Sequence, residues 1–300
     1  MIVAARPKFQ WFFRRHSLAL GERTLVMGVL NVTPDSFSDK GKFLSPEKAI
    51  EHALRILDEG ADILDMGGES TRPGDRPAVS AHEEVDRLLP VMEAVLRERP
   101  STIISVDTYK AATAHAAIQA GAEIVNDVSG FLWDAEMAPL CAELGCGVVL
   151  MHTRGRMHEW RTQPRLPQDA VVPLVLRELR ERIDHALHAG VPQEKIAIDP
   201  GFGFGKVGEE NYPLLAHLDH LSALGYPILT GTSRKSFLGR TLEKIYGEVP
   251  PPELRLNATN ASIVACVLGG THIVRAHNVK AAREAVAVAD AIRQGAVPLS

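Results

Sequence analysis

Eight polar residues each directly follow a short apolar run: Asn31, Asp65, Asp107, Asn126, His152, Asp199, Thr232 and Arg275. Singly, such residues cap helices or form turns. Eight together, three of them carboxylates, describe a convergent polar pocket. A carboxylate offers two acceptor oxygens, so Asp107 and Asp199 beside the Asn126 amide suit a ligand edge rich in N–H donors, as in guanine or pterin. Other segments suit an anion. Gly67-Gly68-Glu69-Ser70-Thr71-Arg72-Pro73-Gly74 combines glycines that let backbone amides approach with Thr71 and Arg72 as ligands for phosphate oxygens. Gly231-Thr232-Ser233-Arg234-Lys235-Ser236 sets hydroxyls and cations at a helix start, and Arg275-Ala276-His277-Asn278 follows the next apolar run. The Gly67–Gly74 segment and Asn31–Asp39 mix glycine or proline with charge, as a lid over a site would. Asp199–Lys206 contains Gly-x-Gly-x-Gly but lacks the spacing and terminal Lys-Ser/Thr of a nucleotide loop. It reads as a tight turn that aims Asp199 inward and makes Phe204 an aromatic wall.

The elements that must carry these residues alternate strand and helix. Strands are predicted at Thr24–Leu30, Ile63–Met66, Ile103–Val106, Ile124-Val125, Gly147–Met151, Ile196–Ile198, Ile228-Leu229 and His272–Val274. Helices are predicted at Pro46–Glu59, where Ser45 caps an apolar stripe ended by Gly60, and at about 81–99, 136–144, 170–189, 212–224 and 281–293, with another reaching Ala120 and helical segments reaching Leu268. Glu-Gly-Ala-Asp, Ala-Gly-Ala-Glu and Leu-Gly-Gly-Thr recur at helix-to-strand junctions, as glycine closing a helix before a buried strand would. Eight such units predict a single (β/α)8 barrel, which builds its active site from the loops at the carboxyl ends of its strands. A doubly wound sheet would carry a glycine fingerprint after its first strand, where Asn-Val-Thr-Pro-Asp stands instead. Residues 1–23 are expected to form an N-terminal extension, a short hairpin or plug below the barrel, with the barrel domain spanning 24–300.

Length and composition agree with one barrel. The chain has 300 residues, where such a barrel takes roughly 250. With 45% hydrophobic and 23% charged residues it is not a disordered composition. A net charge of -4 argues against a nucleic-acid partner. The three cysteines form no CxxC pair, so reduced core thiols are expected. No secretion leader or membrane span is read, so the cytoplasm is the expected compartment.

Met27–Asp39 and Asp65–Gly74 closely resemble the two signature segments of the dihydropteroate synthase family, pterin-binding barrel enzymes. Ser105–Thr108, Asn126–Gly130, Asp199–Lys206, Gly231–Ser236 and Arg275–Val279 follow in the family's order, so the match runs from about 24 to 293. The resemblance implies a transferase of folate biosynthesis that joins 4-aminobenzoate to a dihydropterin pyrophosphate, the activity sulfonamides target. It implies that Asn126 and Asp199 grip the pterin's amino-pyrimidinone edge, with Asp107 stabilising positive charge at the other ring. Lys235 and Phe204 would touch both the pterin and the aminobenzoate. Asn31 would hold Mg2+ and, with Thr71, Arg72, Arg275 and His277, contact pyrophosphate. Phe37, Pro73 and Ser236 would shape the aminobenzoate site, and Asp39 would order the lid and the incoming amine. Asp39, Asp107 and Lys235 are thus the expected catalytic residues, in a homodimer to which the apolar Ala261–Leu268 helix could contribute. Because an aniline nitrogen needs no strong base, a dissociative substitution is expected. Three features depart from the family: Lys40 for glycine, Asn278 for aspartate, and the segment 152–169 with Arg154, Arg156 and Arg161. A pterin-binding methyltransferase domain would lack the Thr-Arg-Pro-Gly and Ser-Arg-Lys segments. A non-catalytic paralogue is disfavoured by the intact Asn31, Asp39, Arg72, Lys235 and His277.

Overall fold

The computed structural model describes residues 3–33, 46–69 and 79–296. An antiparallel hairpin, β1 (Phe9–Phe12) and β2 (Ser17–Leu20), precedes eight parallel strands. These are β3 (Leu25–Asn31), β4 (Ile63–Gly67), β5 (Ile104–Asp107), β6 (Ile124–Asp127), β7 (Gly147–Met151), β8 (Ile196–Asp199), β9 (Leu229–Thr230) and β10 (Ile273–Ala276). Each neighbours the next in sequence, and β10 pairs with both β9 and β3. The ring closes where the Ile198 amide donates to the Pro227 carbonyl at 2.9 Å, beside a parallel bridge between Ile198 and Ile228.

The helices among the described residues are α1 (Pro46–Asp58), α2 (Ala81–Glu98), α3 (Ala111–Gln119), α4 (Met137–Leu144), α5 (Gln168–His188), α6 (Asn211–Ala216), α7 (Ser236–Tyr246), α8 (Leu256–Leu268) and α9 (Val279–Gly295). The single helix expected over 212–224 is instead α6 followed by a 3-10 segment, Leu218–Leu224. The glycines of the recurring junctions do end helices in left-handed backbone: Gly60, Gly121 and Gly270 have φ of +95°, +119° and +98°. The Ser45 cap lies outside the described residues.

Alternation along each strand decides what faces inward. Leu25, Met27, Ile63, Ile124, Val149, Ala197, Leu229 and Ile273 pack together with Trp11, Phe13 and Leu20 of the hairpin. The hairpin therefore seals the amino-terminal end of the barrel, and the Trp11 indole N–H donates to the Lys195 carbonyl at 2.9 Å. The alternate residues, among them Val26, Leu30, Leu64, Val106, Val125, Val148 and Ile198, join the helices in the outer core. Two positions further up β4, β6, β8 and β10 the inward set turns polar, at Asp65, Asn126, Asp199 and Arg275, and Asp107 ends β5 at the same level. The expected strand ends fall one or two residues short at Asp107, Asn126, Asp199 and Arg275, so these four ring residues lie inside strands rather than after them, while Asp65 lies within β4, inside its expected range. Asn31 is likewise the last residue of β3.

All three cysteines are free and buried, as expected. In α8, Ile263, Cys266, Val267 and Leu268 are buried in the chain's own core, while Ala261 is exposed and Val264 and Ala265 are half-buried. The large exposed apolar side chains nearby are Ile245, Tyr246, Val249, Leu254 and Leu256.

Candidate active site

The carboxyl ends of the strands hold a buried charge cluster. Arg275, inward on β10, donates from Nε to Asp65 Oδ2 and from Nη2 to Asp107 Oδ2, both at 2.6 Å. Asp65 is fully buried and also accepts from Asn126 Nδ2 at 3.3 Å. One guanidinium thus clasps β4 and β5, and the Asp65 carboxylate orients the β6 amide. A planar five-donor fork suits this bridging role better than an ammonium. Burial opposes the charge on Arg275, but Asp65 and Asp107 outweigh it and hold the guanidinium protonated beyond its ordinary range.

Burial pushes the Asp107 carboxyl up to about 7, with Arg275 pulling down and Asp65 pushing further up. Asp199 is raised to about 6, also by burial, while the Gly201 amide and Lys235 favour its anion. Lys235 is lowered to about 7 by burial and by Arg275, with Asp199 and Asp107 opposing. Its Nζ lies 3.7 Å above the centre of the Phe204 ring, a cation–π contact. Perturbed groups gathered at one end of a barrel mark a functional site.

The glycine-rich segment is the tight turn expected. The Gly201 amide donates to Asp199 Oδ1 at 2.7 Å, which leaves the other carboxylate oxygen for a ligand. Gly201 and Gly205 have φ of +67° and +72°, and a Cβ on either would run into the carbonyl of His152 or Arg154. Only glycine lets the turn lie this close to the chain leaving β7. On β10's far side, His277 Nδ1 meets Ser233 Oγ at 3.0 Å, joining two of the anion-binding segments foreseen. Ser236 opens α7 and is exposed. Asp39, Phe37, Thr71, Arg72 and Pro73, and the Lys40 departure, lie outside the described residues.

A family model described as "Pterin binding enzyme" matches residues 27–277. A dihydropteroate synthase of Bacillus subtilis (strain 168) is 45% identical over 264 residues, covering 88% of this chain and 87% of that protein. The chain belongs to the dihydropteroate synthase family. Among solved structures, the Xanthomonas albilineans dihydropteroate synthase with 4-aminobenzoic acid superposes with a TM-score of 0.84 at 40% identity, covering 97% of this chain and 100% of that one. The same organism's dihydropteroate synthase in complex with 7,8-dihydropteroate gives 0.79 at 39% identity, covering 93% and 97%.

Against that dihydropteroate synthase framework, two departures acquire structural roles. Asn278, exposed, caps α9 by accepting from the Ala281 amide at 3.0 Å, the job an aspartate would do there. The segment 152–169, to which the resemblance assigns no role, lines the site. It sends Trp160, 3% exposed, edge-on against Phe204 with ring centres 4.8 Å apart, and Trp133 and Tyr109 extend the aromatic wall. Arg154 Nη1 donates to the Gly205 carbonyl at 2.9 Å. The functional neighbourhood also includes Lys206, which nothing in the sequence singled out: it is 1% exposed beneath the glycine turn. Lysine is almost never fully buried, so composition and spacing point the other way. His152, one of the eight polar residues that follow apolar runs, is fully buried between Lys206 Nζ, 2.8 Å from Nδ1, and Glu178 Oε2, 3.0 Å from Nε2.

Proposed function

We propose that this dihydropteroate synthase joins 4-aminobenzoate to 6-hydroxymethyl-7,8-dihydropterin pyrophosphate. The carbon–oxygen bond to pyrophosphate breaks and the aniline nitrogen then bonds to the pterin methylene, giving 7,8-dihydropteroate and releasing pyrophosphate and a proton. The observation that carries the detailed roles is the Asp65–Arg275–Asp107 clasp beside Asn126 and Asp199. It gathers hydrogen-bond acceptors for an amino-pyrimidinone edge around a cation able to face phosphate.

The roles divide by charge. Asp199 and Asn126 hold the pterin edge, and Asp107 offsets positive charge on the ring as the leaving group departs. Arg275 and His277, with Thr71 and Arg72, receive pyrophosphate. Lys235, above Phe204, bonds the pterin and borders the aminobenzoate, with Phe37, Pro73 and Ser236 shaping that end. Asp39 orders the lid and the amine. A dissociative path is favoured because the aniline is a weak nucleophile that needs no strong base. Asn31 ends β3 at the site end of the barrel and offers one hard amide oxygen. Mg2+ in phosphate sites takes one or two protein oxygens and completes its shell with phosphate and water, so Asn31 fits that ion. When bound, Mg2+ would neutralise charge on the leaving pyrophosphate. Among the described residues the His217, Asp219 and His220 group has metal-ligand spacing, but it is exposed and contains none of the site residues.

The assay is Mg2+-dependent pyrophosphate release from the dihydropterin substrate with and without 4-aminobenzoate. Absence of any aminobenzoate-dependent product would sink the synthase reading. A homodimer is supported by the exposed apolar side chains between Ile245 and Leu256, and light scattering would test it. A cytoplasmic setting is supported by the three free thiols, and no described helix is long and apolar enough to cross a membrane.

A further inference from the structure

Among the described residues Lys206 is the one lysine in the set of largest fully buried side chains, and its amine has no role in the chemistry above. Burying a lysine is costly where a methionine would fill similar space, unless its donors are matched. Here they are. Nζ lies 2.8 Å from His152 Nδ1, 3.2 Å from the Phe204 carbonyl and 3.5 Å from the His152 carbonyl. Three acceptors surround the amine, enough for every N–H it carries, and burial holds it well below the usual lysine range. Glu178 takes the proton on His152 Nε2, which leaves Nδ1 free to accept. Burial, then the neighbouring Lys206 and Arg182, hold that imidazole well below its usual range, in keeping with a neutral ring.

The groups gripped by Lys206 are the two sides of one junction. His152 leaves β7; Phe204 belongs to the turn after β8. The same junction is stitched by the His152 amide to the Asp199 carbonyl at 2.8 Å and by the Arg154 amide to the Phe204 carbonyl at 3.3 Å. From below, Asn211 accepts from the Gly203 amide at 2.7 Å and donates to the Lys206 carbonyl at 2.9 Å. A turn with three left-handed glycines has little stiffness of its own, yet it presents both Asp199 and Phe204.

We propose that Lys206 is a positioning residue for pterin binding: its amine ties the Asp199–Phe204 turn to the end of β7 and so sets the height of the carboxylate and the aromatic platform. The inference rests on the assignment of Asp199 and Phe204 to the pterin. Lys206 touches no substrate; it acts through the Phe204 carbonyl and His152.

The test compares Lys206→Met, Asp199→Asn and Val286→Ala, the last a core truncation in α9 that controls for lost stability. Each is titrated calorimetrically with 6-hydroxymethyl-7,8-dihydropterin pyrophosphate in the presence of Mg2+, and assayed for kcat and for the KM of both substrates. Small misplacements of binding groups cost up to about 100-fold, so Lys206→Met is expected to weaken pterin binding about 10-fold. Because Asp107, Arg275 and Lys235 stand on other elements, kcat at saturating pterin should change less than the pterin KM. Val286→Ala should bind pterin as the parent does. Should Lys206→Met not fold, His152→Phe removes the Nδ1 acceptor while keeping a ring in place, and about a 3-fold loss is expected. Unchanged pterin affinity in Lys206→Met, or in His152→Phe where that variant replaces it, overturns the positioning role, as does an equal loss in Val286→Ala. Unchanged affinity in Asp199→Asn would instead overturn the assignment of the pterin edge.

Discussion

Replacing Asp65 with asparagine should move the acid limb of the pH–rate profile downward. Asp65 makes no expected contact with substrate, but it shares Arg275 with Asp107 and raises the Asp107 carboxyl by repulsion. In Asp65→Asn that repulsion is gone and the guanidinium answers to Asp107 alone. Both changes favour the Asp107 anion. Two unit charges about 5 Å apart interact by roughly 3 kcal/mol at an effective dielectric of 20. At 1.36 kcal/mol per pKa unit, a shift of roughly one to two units is expected once relaxation is allowed for. If catalysis needs the Asp107 anion, the limb near 7 in the parent kcat/KM profile for the pterin substrate should fall toward 5–6 in the variant. The assay is initial rate at limiting pterin over about pH 5–9 at constant ionic strength. Stability gives an independent reading. In the parent, the raised Asp107 carboxyl makes the folded state hold an extra proton between its unfolded value near 4 and about 7, so stability falls as pH rises across that window. In the variant the fall is smaller. Breaking half of a buried clasp costs about 3 kcal/mol, and that deficit should narrow as pH rises from 5 to about 7. A limb that stays near 7, or a deficit that widens with pH, would refute the coupling.

Asp107→Asn keeps the shape but removes the anion facing the pterin ring; kcat should fall about 100-fold or more with pterin affinity nearly retained, and near-normal turnover would end the charge argument. Trp11→Ala empties the plug below the barrel, where such truncations cost about 3–5 kcal/mol; calorimetry should show a Tm loss on the order of 10 °C while kcat at room temperature is preserved. Asn278→Ala should cost about 1 kcal/mol through the lost α9 cap, whereas Asn278→Asp should match or slightly exceed the parent because an anion suits a helix N-terminus. Urea denaturation of both variants distinguishes a capping role from a substrate contact, which would instead appear in KM.

The barrel was legible because its strands are buried on both faces and read as apolar runs, with glycine marking where helices stop. The ring of polar residues was legible for the same reason: polarity stands out against such runs. Strand ends were set too early at Asp107, Asn126, Asp199 and Arg275. A charged residue ends an apolar pattern in sequence, yet in the barrel these side chains are paired with one another and the ladder continues past them. Arg275 shows this most clearly: its partners Asp65 and Asp107 are 210 and 168 residues away. Trp160 against Phe204 and Lys206 beneath the turn were hidden for a related reason. Each depends on two separate loops meeting at the carboxyl ends of β7 and β8, and neither has a local spacing to betray it.

The charge count at the site bears on which state it is built for. Among the described residues, Asp65, Asp107 and Asp199 face Arg275 and Lys235, with Lys206 beneath the turn pushed toward its neutral form by burial. Three carboxylates against two cations leave one negative charge when all are ionised. Without a further cation the cluster relieves that excess at Asp107, which burial and Asp65 push up to about 7, near the point of holding its proton. A pterin that gains one positive charge as pyrophosphate leaves would complete the balance and draw Asp107 fully to the anion. The site then stabilises the cationic state more than the neutral substrate, which is the condition for lowering a barrier rather than merely binding tightly. A substitution in which the amine pushed the leaving group out directly would generate little ring charge and would make poor use of that arrangement. The pairing of a raised Asp107 with a fixed Arg275 is thus the structural reason to favour the dissociative path.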